Sequence, residues 1–211
     1  MSTLLDLVFP PHCIACGVFG EWCCAVCFEK IEFPVQKMIE GLDGCTVLGM
    51  YHDPIWRAVI HGLKYRGGTC LLPVIRGLAS ERLPCLDLPW KDLLEISIQH
   101  LPTDEMRERE RGFDQAKVLV SELAEILHPK PLILNQVSRL QSQTAQAHLN
   151  DPGLRRANVA GIYGLLPGTV PEVVLLVDDV VTTGASMTAV ADLFRTAGAK
   201  RVYGFALALG A

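Results

Sequence analysis

Two groups of residues in this chain have types and spacing that could do chemistry. In the first, Asp178 and Asp179 directly follow an apolar run at residues 173–177, and Thr182, Thr183, Gly184, Ala185 and Ser186 come next. Hydroxyl donors, a glycine that admits close backbone approach and the free amides of a helix start all suit a phosphate monoester. Two adjacent carboxylates beside such a cradle would repel the phosphate unless they served another group, and a ribose diol accepts two such acceptors, with Mg2+ able to sit nearby. A sugar carrying a 5-phosphate satisfies both halves. No Lys follows the glycine at the spacing of a nucleoside-triphosphate loop, and G-x-G-x-x-G is absent. The bland alternative is an exposed acidic strand end with an ordinary Ser/Thr helix start.

The second group is Cys13, Cys16, Cys24 and Cys27, two C-x2-C knuckles separated by residues 17–23. Thiolates two residues apart on a tight turn face one tetrahedral ion, and four sulfurs complete the shell of a structural Zn2+. Cys23 is the spare sulfur and His12 a substitute ligand. Buried free thiols or a redox pair are the competing readings. Cys45, Cys70 and Cys85 stand alone and read as ordinary buried residues.

Basic residues fall in two further places. Arg107, Arg109 and Arg111 alternate with Glu108 and Glu110. Extended, they present three guanidinium groups on one side, suited to pyrophosphate; helical, they form a salt-bridged surface with Arg107 and Arg111 one turn apart. Lys64 ends a helical pattern before Gly67 and Gly68, a place where favourable interaction with the helix dipole suffices to explain it. Residues 139–158 are polar and lack an apolar face, which suits either a hood over a site or a loose surface loop.

The elements that must position these groups follow from the apolar pattern. Residues 173–177 form a buried strand, a helix with its stripe at Val190, Leu193, Phe194 and Ala197 ends at Gly198, and residues 202–209 are a second strand. Ile55, Trp56, Val59, Ile60 and Leu63 mark one earlier helix face, and Phe113, Ala116, Leu119, Val120, Leu123, Ala124 and Leu127 another. Between them, residues 96–98 read as a short strand. Alternation of strand and helix implies an α/β fold: a mainly parallel sheet with helices on both faces, plus a small N-terminal zinc ribbon over residues 1–34 and a main domain over 45–211.

Composition excludes several classes. The 211 residues are 50% hydrophobic and 20% charged, enough apolar content for a packed core. Lys and Arg number 19 against 23 Asp and Glu, net −4, so no general positive field holds a nucleic-acid backbone or an anionic membrane. No apolar run approaches the roughly 20 residues of a membrane span, and the first 29 residues lack any Lys or Arg, so a charged secretory start is missing. A cytoplasmic location with no membrane partner is the expectation.

The stretch from Val177 to Ser186 resembles the 5-phosphoribosyl-1-pyrophosphate (PRPP) signature of type I phosphoribosyltransferases, and the chain as a whole resembles the ComF group, also called ComFC or GntX-like. Cys13 to Cys27 is similar to that group's zinc ribbon, residues 111–116 to its Arg-Gly-Phe-Asn-Gln segment, and Gln146, Leu149, Arg155 and Asn158 to its Gln-x-x-Leu and Arg-x-x-Asn pieces. Asp114 stands where many members have Asn, a charge that would weaken anion binding near the pyrophosphate. The resemblance implies a transfer of phosphoribosyl from PRPP to a nitrogen acceptor, with pyrophosphate leaving. In it, Asp178 and Asp179 hold the ribose hydroxyls and steady positive charge on the sugar, while Thr182, Thr183, Gly184, Ala185 and Ser186 hold the 5-phosphate. Arg111 and a Mg2+ take the pyrophosphate, and Lys64, Arg109 and Arg155 are further ligand contacts. It also implies a second role, a non-catalytic PRPP-binding competence factor with imported single-stranded DNA or a competence helicase as partner. Arg139, Arg155 and Arg156 would form its basic patch.

Overall fold

The computed structural model describes residues 11–31, 35–65, 71–83, 88, 90, 95–139 and 161–210. Along the chain a short helix, α1 (Ala25–Glu29), precedes β1 (Val35–Lys37), β2 (Gly44–Met50), α2 (Pro54–Tyr65), α3 (Leu72–Arg82) and β3 (Ser97–His100). There follow α4 (Glu105–Arg111), α5 (Gln115–Ile126), β4 (Leu132–Leu134), β5 (Val137–Arg139), β6 (Tyr163–Leu165), β7 (Val173–Val181), α6 (Ala185–Thr196) and β8 (Arg201–Leu209). Six strands form one sheet in the order β1-β2-β8-β7-β3-β4, and all neighbours are parallel except β1 with β2. A separate antiparallel ribbon joins β5 to β6.

The expected α/β architecture is present, and β7 shows why its sequence reads as a continuous apolar run. Successive strand residues point to opposite faces. Leu175 and Val177 enter the core under α2, α3 and α5, whereas Val174 and Leu176 enter the core under α6. A sheet covered on both faces has no use for polar alternation. The helical stripes are buried as expected at Trp56, Val59, Ile60 and Leu63 on α2, Leu119, Val120 and Leu123 on α5, and Val190 and Phe194 on α6, but Ala197 is exposed, because α6 ends at Thr196 and Ala197 is its C-cap. Truncating Trp56 or Phe194 to Ala would cost about 3–5 kcal/mol in lost transfer energy and cavity formation. Gly49 is required inside β2, because a Cβ there would lie 1.8 Å from the Trp56 indole nitrogen.

Three features differ from, or decide between, the expectations. First, β7 does not stop at Val177 but runs on to Val181, so the acidic pair lies within the strand. The cause is β8, whose long apolar run offers backbone partners at Ala206, Ala208 and Leu209 to residues 178, 180 and 181. Second, the arginine run is helical. Asp104 caps it by accepting from the Met106 amide at 3.1 Å, Gly112 closes it with φ of +82°, and Arg109 sits one turn from Glu105. Third, β1 and the residues after it add an edge to the sheet, although the sequence there has no clear period.

The N-terminal segment rests on the main body. Ile31 is buried in the core beneath α2 and α3, and Ile14, Cys23 and Phe28 pack against its margin. Among the described residues no helix is long and apolar enough to cross a membrane.

Candidate functional site

The carboxyl ends of parallel strands converge where β7 emerges, the usual ligand edge of an open α/β sheet. Asp178 Oδ1 accepts from the Asp179 amide at 2.8 Å, and Asp179 Oδ1 accepts from the Val180 amide at 2.8 Å. The Asp179 Oδ2 lies 2.7 Å from Lys64 Nζ, at the end of α2, with both side chains about four-fifths buried. Burial, reinforced by the neighbouring Asp179 charge and only partly opposed by Lys64, holds the Asp178 carboxyl well above the ordinary range for Asp. The Lys64 ammonium thus meets the acidic pair at Asp179.

Beyond Val181 the chain turns through Thr182, Thr183 and Gly184 into α6. Gly184 is the N-cap with φ of +84°, a left-handed conformation that glycine adopts without strain. A Cβ at this position would come within 2.6 Å of Ile39 Cγ2. Thr183 Oγ1 accepts from the Ala185 amide at 3.3 Å. Thr182 and Thr183 are exposed, and Ala185 and Ser186 are half-buried in the first helical turn. The first-turn amides of a helix lack intrahelical acceptors and carry the positive end of its dipole, so hydroxyls, amides and dipole gather at one place.

What braces this turn has no signature along the chain. Lys37 at the end of β1 donates to the Thr182 carbonyl at 2.9 Å, and Ile39 fills the space beside Gly184. The residues that follow are fastened to α6: Thr188 Oγ1 donates to the Glu40 carbonyl at 2.8 Å, and Arg195 Nε donates to the Gly41 carbonyl at 3.0 Å. Asp43 accepts from Arg195 Nη2 and from the Val202 amide, each at 2.7 Å. An irregular segment with neither helical nor strand period is legible only through these tertiary contacts.

The arginine helix leaves the same sheet edge, because the Leu101 amide, just after β3, donates to the Val177 carbonyl at 2.9 Å. Arg111 is half-buried and its Nη1 donates to Gln115 Oε1 at 2.8 Å. Arg109 is exposed, 3.6 Å from Glu105. Asp114 is buried and caps α5, its Oδ1 accepting from the Lys117 amide at 3.0 Å and its Oδ2 from the Thr103 amide at 2.9 Å. Both of its oxygens are thus engaged by backbone donors. Nearby His100 is held below the ordinary histidine range by burial, against the pull of Asp114. Arg139 lies 3.8 Å from Asp104 and 5.9 Å from the centre of the Tyr163 ring. Gln146, Leu149, Arg155, Arg156 and Asn158, with the rest of the hood candidate after Arg139, lie outside the described residues.

The four cysteines form a second centre. The sulfurs of Cys13, Cys16, Cys24 and Cys27 all lie within 4.8 Å of one another, and those of Cys16 and Cys24 are 3.6 Å apart. Tetrahedral thiolates at about 2.3 Å from a Zn2+ sit roughly 3.8 Å from each other, so the donor set fits a closed four-sulfur metal site. Burial raises the Cys13 thiol, but amide hydrogen bonds from Cys24, Cys16 and Ala15 outweigh it and bring it down to about 6. Cys27 is pushed up to about 12 by burial and the adjoining sulfurs, a cost that a metal charge would offset. Cys23 stands outside the cluster, half-buried, its thiol pushed up to about 11 by burial and the Cys13 and Cys24 charges. The His12 ring packs edge-on against Phe19.

Residues 111–209 match the model of the phosphoribosyl transferase domain. This span is similar to a phosphoribosyl transferase domain. It opens at Arg111 and takes in Asp178, Asp179 and the Thr182 to Ser186 turn, whereas Lys37, Lys64, Arg109 and the cysteines precede it. Similarity beyond that span comes from relatives named DNA utilization protein YhgH. Those of Escherichia coli K12 and Shigella flexneri are 27% identical over 207 residues, covering 95% of this chain and 84% of each relative. That of Escherichia coli O157:H7 is 26% identical over 203 residues, covering 93% of this chain and 82% of the relative. With the cysteine cluster ahead of the matched span, the resemblance to the ComF group extends over 95% of the chain.

Proposed function

We propose that this protein binds PRPP and transfers its phosphoribosyl group to a nitrogen acceptor, releasing pyrophosphate. The observation that carries the reading is the meeting of a half-buried acidic pair with the Thr182 to Ser186 turn at the carboxyl edge of the parallel sheet. In this reading the turn and the α6 amides hold the 5-phosphate, and Asp178 and Asp179 accept from the ribose hydroxyls. As the bond from C1 to pyrophosphate lengthens, positive charge grows on the sugar, and the adjacent carboxylates stabilise it more than they stabilise the ground state. Arg111 lies on the β3 side of the same edge, suited to the departing anion. Lys64 is within reach of Asp179 and exchanges that partner for a ligand oxygen. Arg109, exposed and paired with Glu105, and Arg155 are peripheral candidates. Mg2+ would enter with the pyrophosphate oxygens, to which it supplies charge neutralisation; the hard oxygen donors at this edge fit it.

The four cysteines hold a structural Zn2+, contributing folding energy to a segment with little apolar mass of its own. The test is calorimetry of PRPP in Mg2+ with wild type and Asp179→Ala, followed by a pyrophosphate-release screen over nucleobases and small amines. Lack of PRPP affinity, or equal affinity after the substitution, would sink the reading.

The relatives' name, DNA utilization protein, favours a second reading, PRPP-linked handling of single-stranded DNA without transfer, alone or with a helicase. Arg139, already engaged by Asp104 and Tyr163, adds little to a free basic patch, and the net charge opposes unaided binding. A single-strand shift assay across salt separates the two, since absence of binding at low salt excludes direct DNA contact.

A further inference from the structure

We propose that Lys37, on the edge strand ahead of the matched domain, is a positioning residue of the phosphate turn that fixes the direction of its backbone amides. The inference rests on reading the Thr182 to Ser186 turn as a 5-phosphate cradle. A trans peptide directs its C=O and the following N–H to opposite sides. Lys37 Nζ holds the Thr182 carbonyl at 2.9 Å, so the amide of Thr183 is turned the other way. A cradle made of backbone donors needs that orientation, because the flipped peptide would present a carbonyl oxygen to the phosphate and repel it. Neighbouring residues keep the lysine in place. Ile39, two positions on, is buried against Gly184, while the Glu40 and Gly41 carbonyls and the Asp43 carboxylate are tied to α6 and its Arg195. The strap is therefore anchored to the helix whose N-terminus completes the cradle, and the turn cannot reorient without breaking a charge-assisted hydrogen bond.

The test uses calorimetry on the full-length protein with two ligands, ribose 5-phosphate and inorganic pyrophosphate, in wild type, Lys37→Met and Lys37→Arg. Loss of a hydrogen bond from a charged group should weaken ribose 5-phosphate by about tenfold or more in Lys37→Met. Pyrophosphate, which occupies the other side of the site, should change by less than about threefold, and Lys37→Arg should recover most of the loss. Should Lys37→Met fail to fold, Lys37→Gln, which keeps a donor but loses charge and reach, is read in the same way. Unchanged ribose 5-phosphate affinity overturns the proposal, and so does an equal loss for both ligands, which would mean general damage. If wild type binds no ribose 5-phosphate at all, the cradle reading itself falls and takes this inference with it.

Discussion

Lys64 Nζ meets Asp179 Oδ2 at 2.7 Å, linking the end of α2 to the acidic pair of β7. With each side chain about one-fifth exposed, this pair is worth more than a surface salt bridge and less than a fully buried one. Lys64→Met leaves two adjoining carboxylates uncompensated and should cost about 1–3 kcal/mol in denaturant unfolding. Asp179→Asn in the same chain should recover most of that, giving a clear coupling energy in a double-mutant cycle. Purely additive effects would mean that the two residues do not stabilise one another.

The raised Asp178 carboxyl makes a prediction about pH. A carboxyl whose folded pKa exceeds its unfolded value keeps its proton on folding, so its contribution is fully present below the unfolded pKa and is lost as pH rises through the folded one. Asp178→Asn cannot ionise, and its side-chain oxygen still accepts from the Asp179 amide. The melting temperature of Asp178→Asn should therefore exceed that of wild type by a few degrees, about 2–5 °C, at pH 8. The gap should close toward pH 4, while PRPP affinity is lost. A gap that widened toward acid would contradict the assigned cause.

The parts of this molecule visible in the sequence are those whose signal is local. Strand β7, the stripes of α2, α5 and α6, the four ligand-spaced cysteines and the acidic pair before a Thr-Thr-Gly turn each repeat a pattern set by neighbours along the chain. The continuation of β7 through Asp178 and Asp179 was hidden because polar residues end an apolar run, and only pairing with β8 shows that the strand persists. Asp104 before the arginine run, with Gly112 after it, was a readable cap signature that decides for the helix. Lys37, Ile39 and the partnership of Lys64 with Asp179 had no such signature, since they depend on contacts between distant segments that periodicity does not encode.

Asp114 is expected to matter for folding rather than for anion repulsion. Each carboxylate oxygen receives a different backbone amide, from Lys117 and from Thr103. Asn has one acceptor oxygen and would turn an NH2 toward the other amide. Asp114→Asn should thus lose about 1–2 kcal/mol of stability in urea unfolding, with pyrophosphate affinity unchanged within about twofold. A marked gain in pyrophosphate affinity would restore the charge-repulsion explanation.

Gly184 combines two constraints that one pair of substitutions can separate. Its φ of +84° disfavours any Cβ, and Ile39 Cγ2 occupies the place where that Cβ would go. Gly184→Ala should cost about 2–4 kcal/mol, from left-handed strain together with overpacking. Adding Ile39→Ala relieves the overlap but not the backbone strain, so the double variant should be less destabilised than the sum of the two single variants. Strict additivity in thermal unfolding would show that the contact with Ile39 plays no part.

The cysteine cluster and the Thr182 to Ser186 turn lie toward opposite faces of the sheet, and this separates their energetics. Ile31 enters the core beneath α2 and α3 with Ile14 and Phe28 beside it, whereas the turn heads α6 on the other face. Metal content in protein purified without chelator should be about one per chain and should collapse in Cys16→Ser, because three sulfurs leave the shell open. Removal of an ion bound there should withdraw folding energy on the order of 10 kcal/mol from this segment. Hydrogen exchange should then rise in residues 11–31 and along the exposed side of α3. Ribose 5-phosphate affinity should stay within about threefold, since the turn is held by Lys37, Ile39 and α6 rather than by the ribbon. A large loss of that affinity on chelation would mean that the metal centre reaches the sugar-phosphate edge through α2 and Lys64, and the two sites would have to be treated as one cooperative unit.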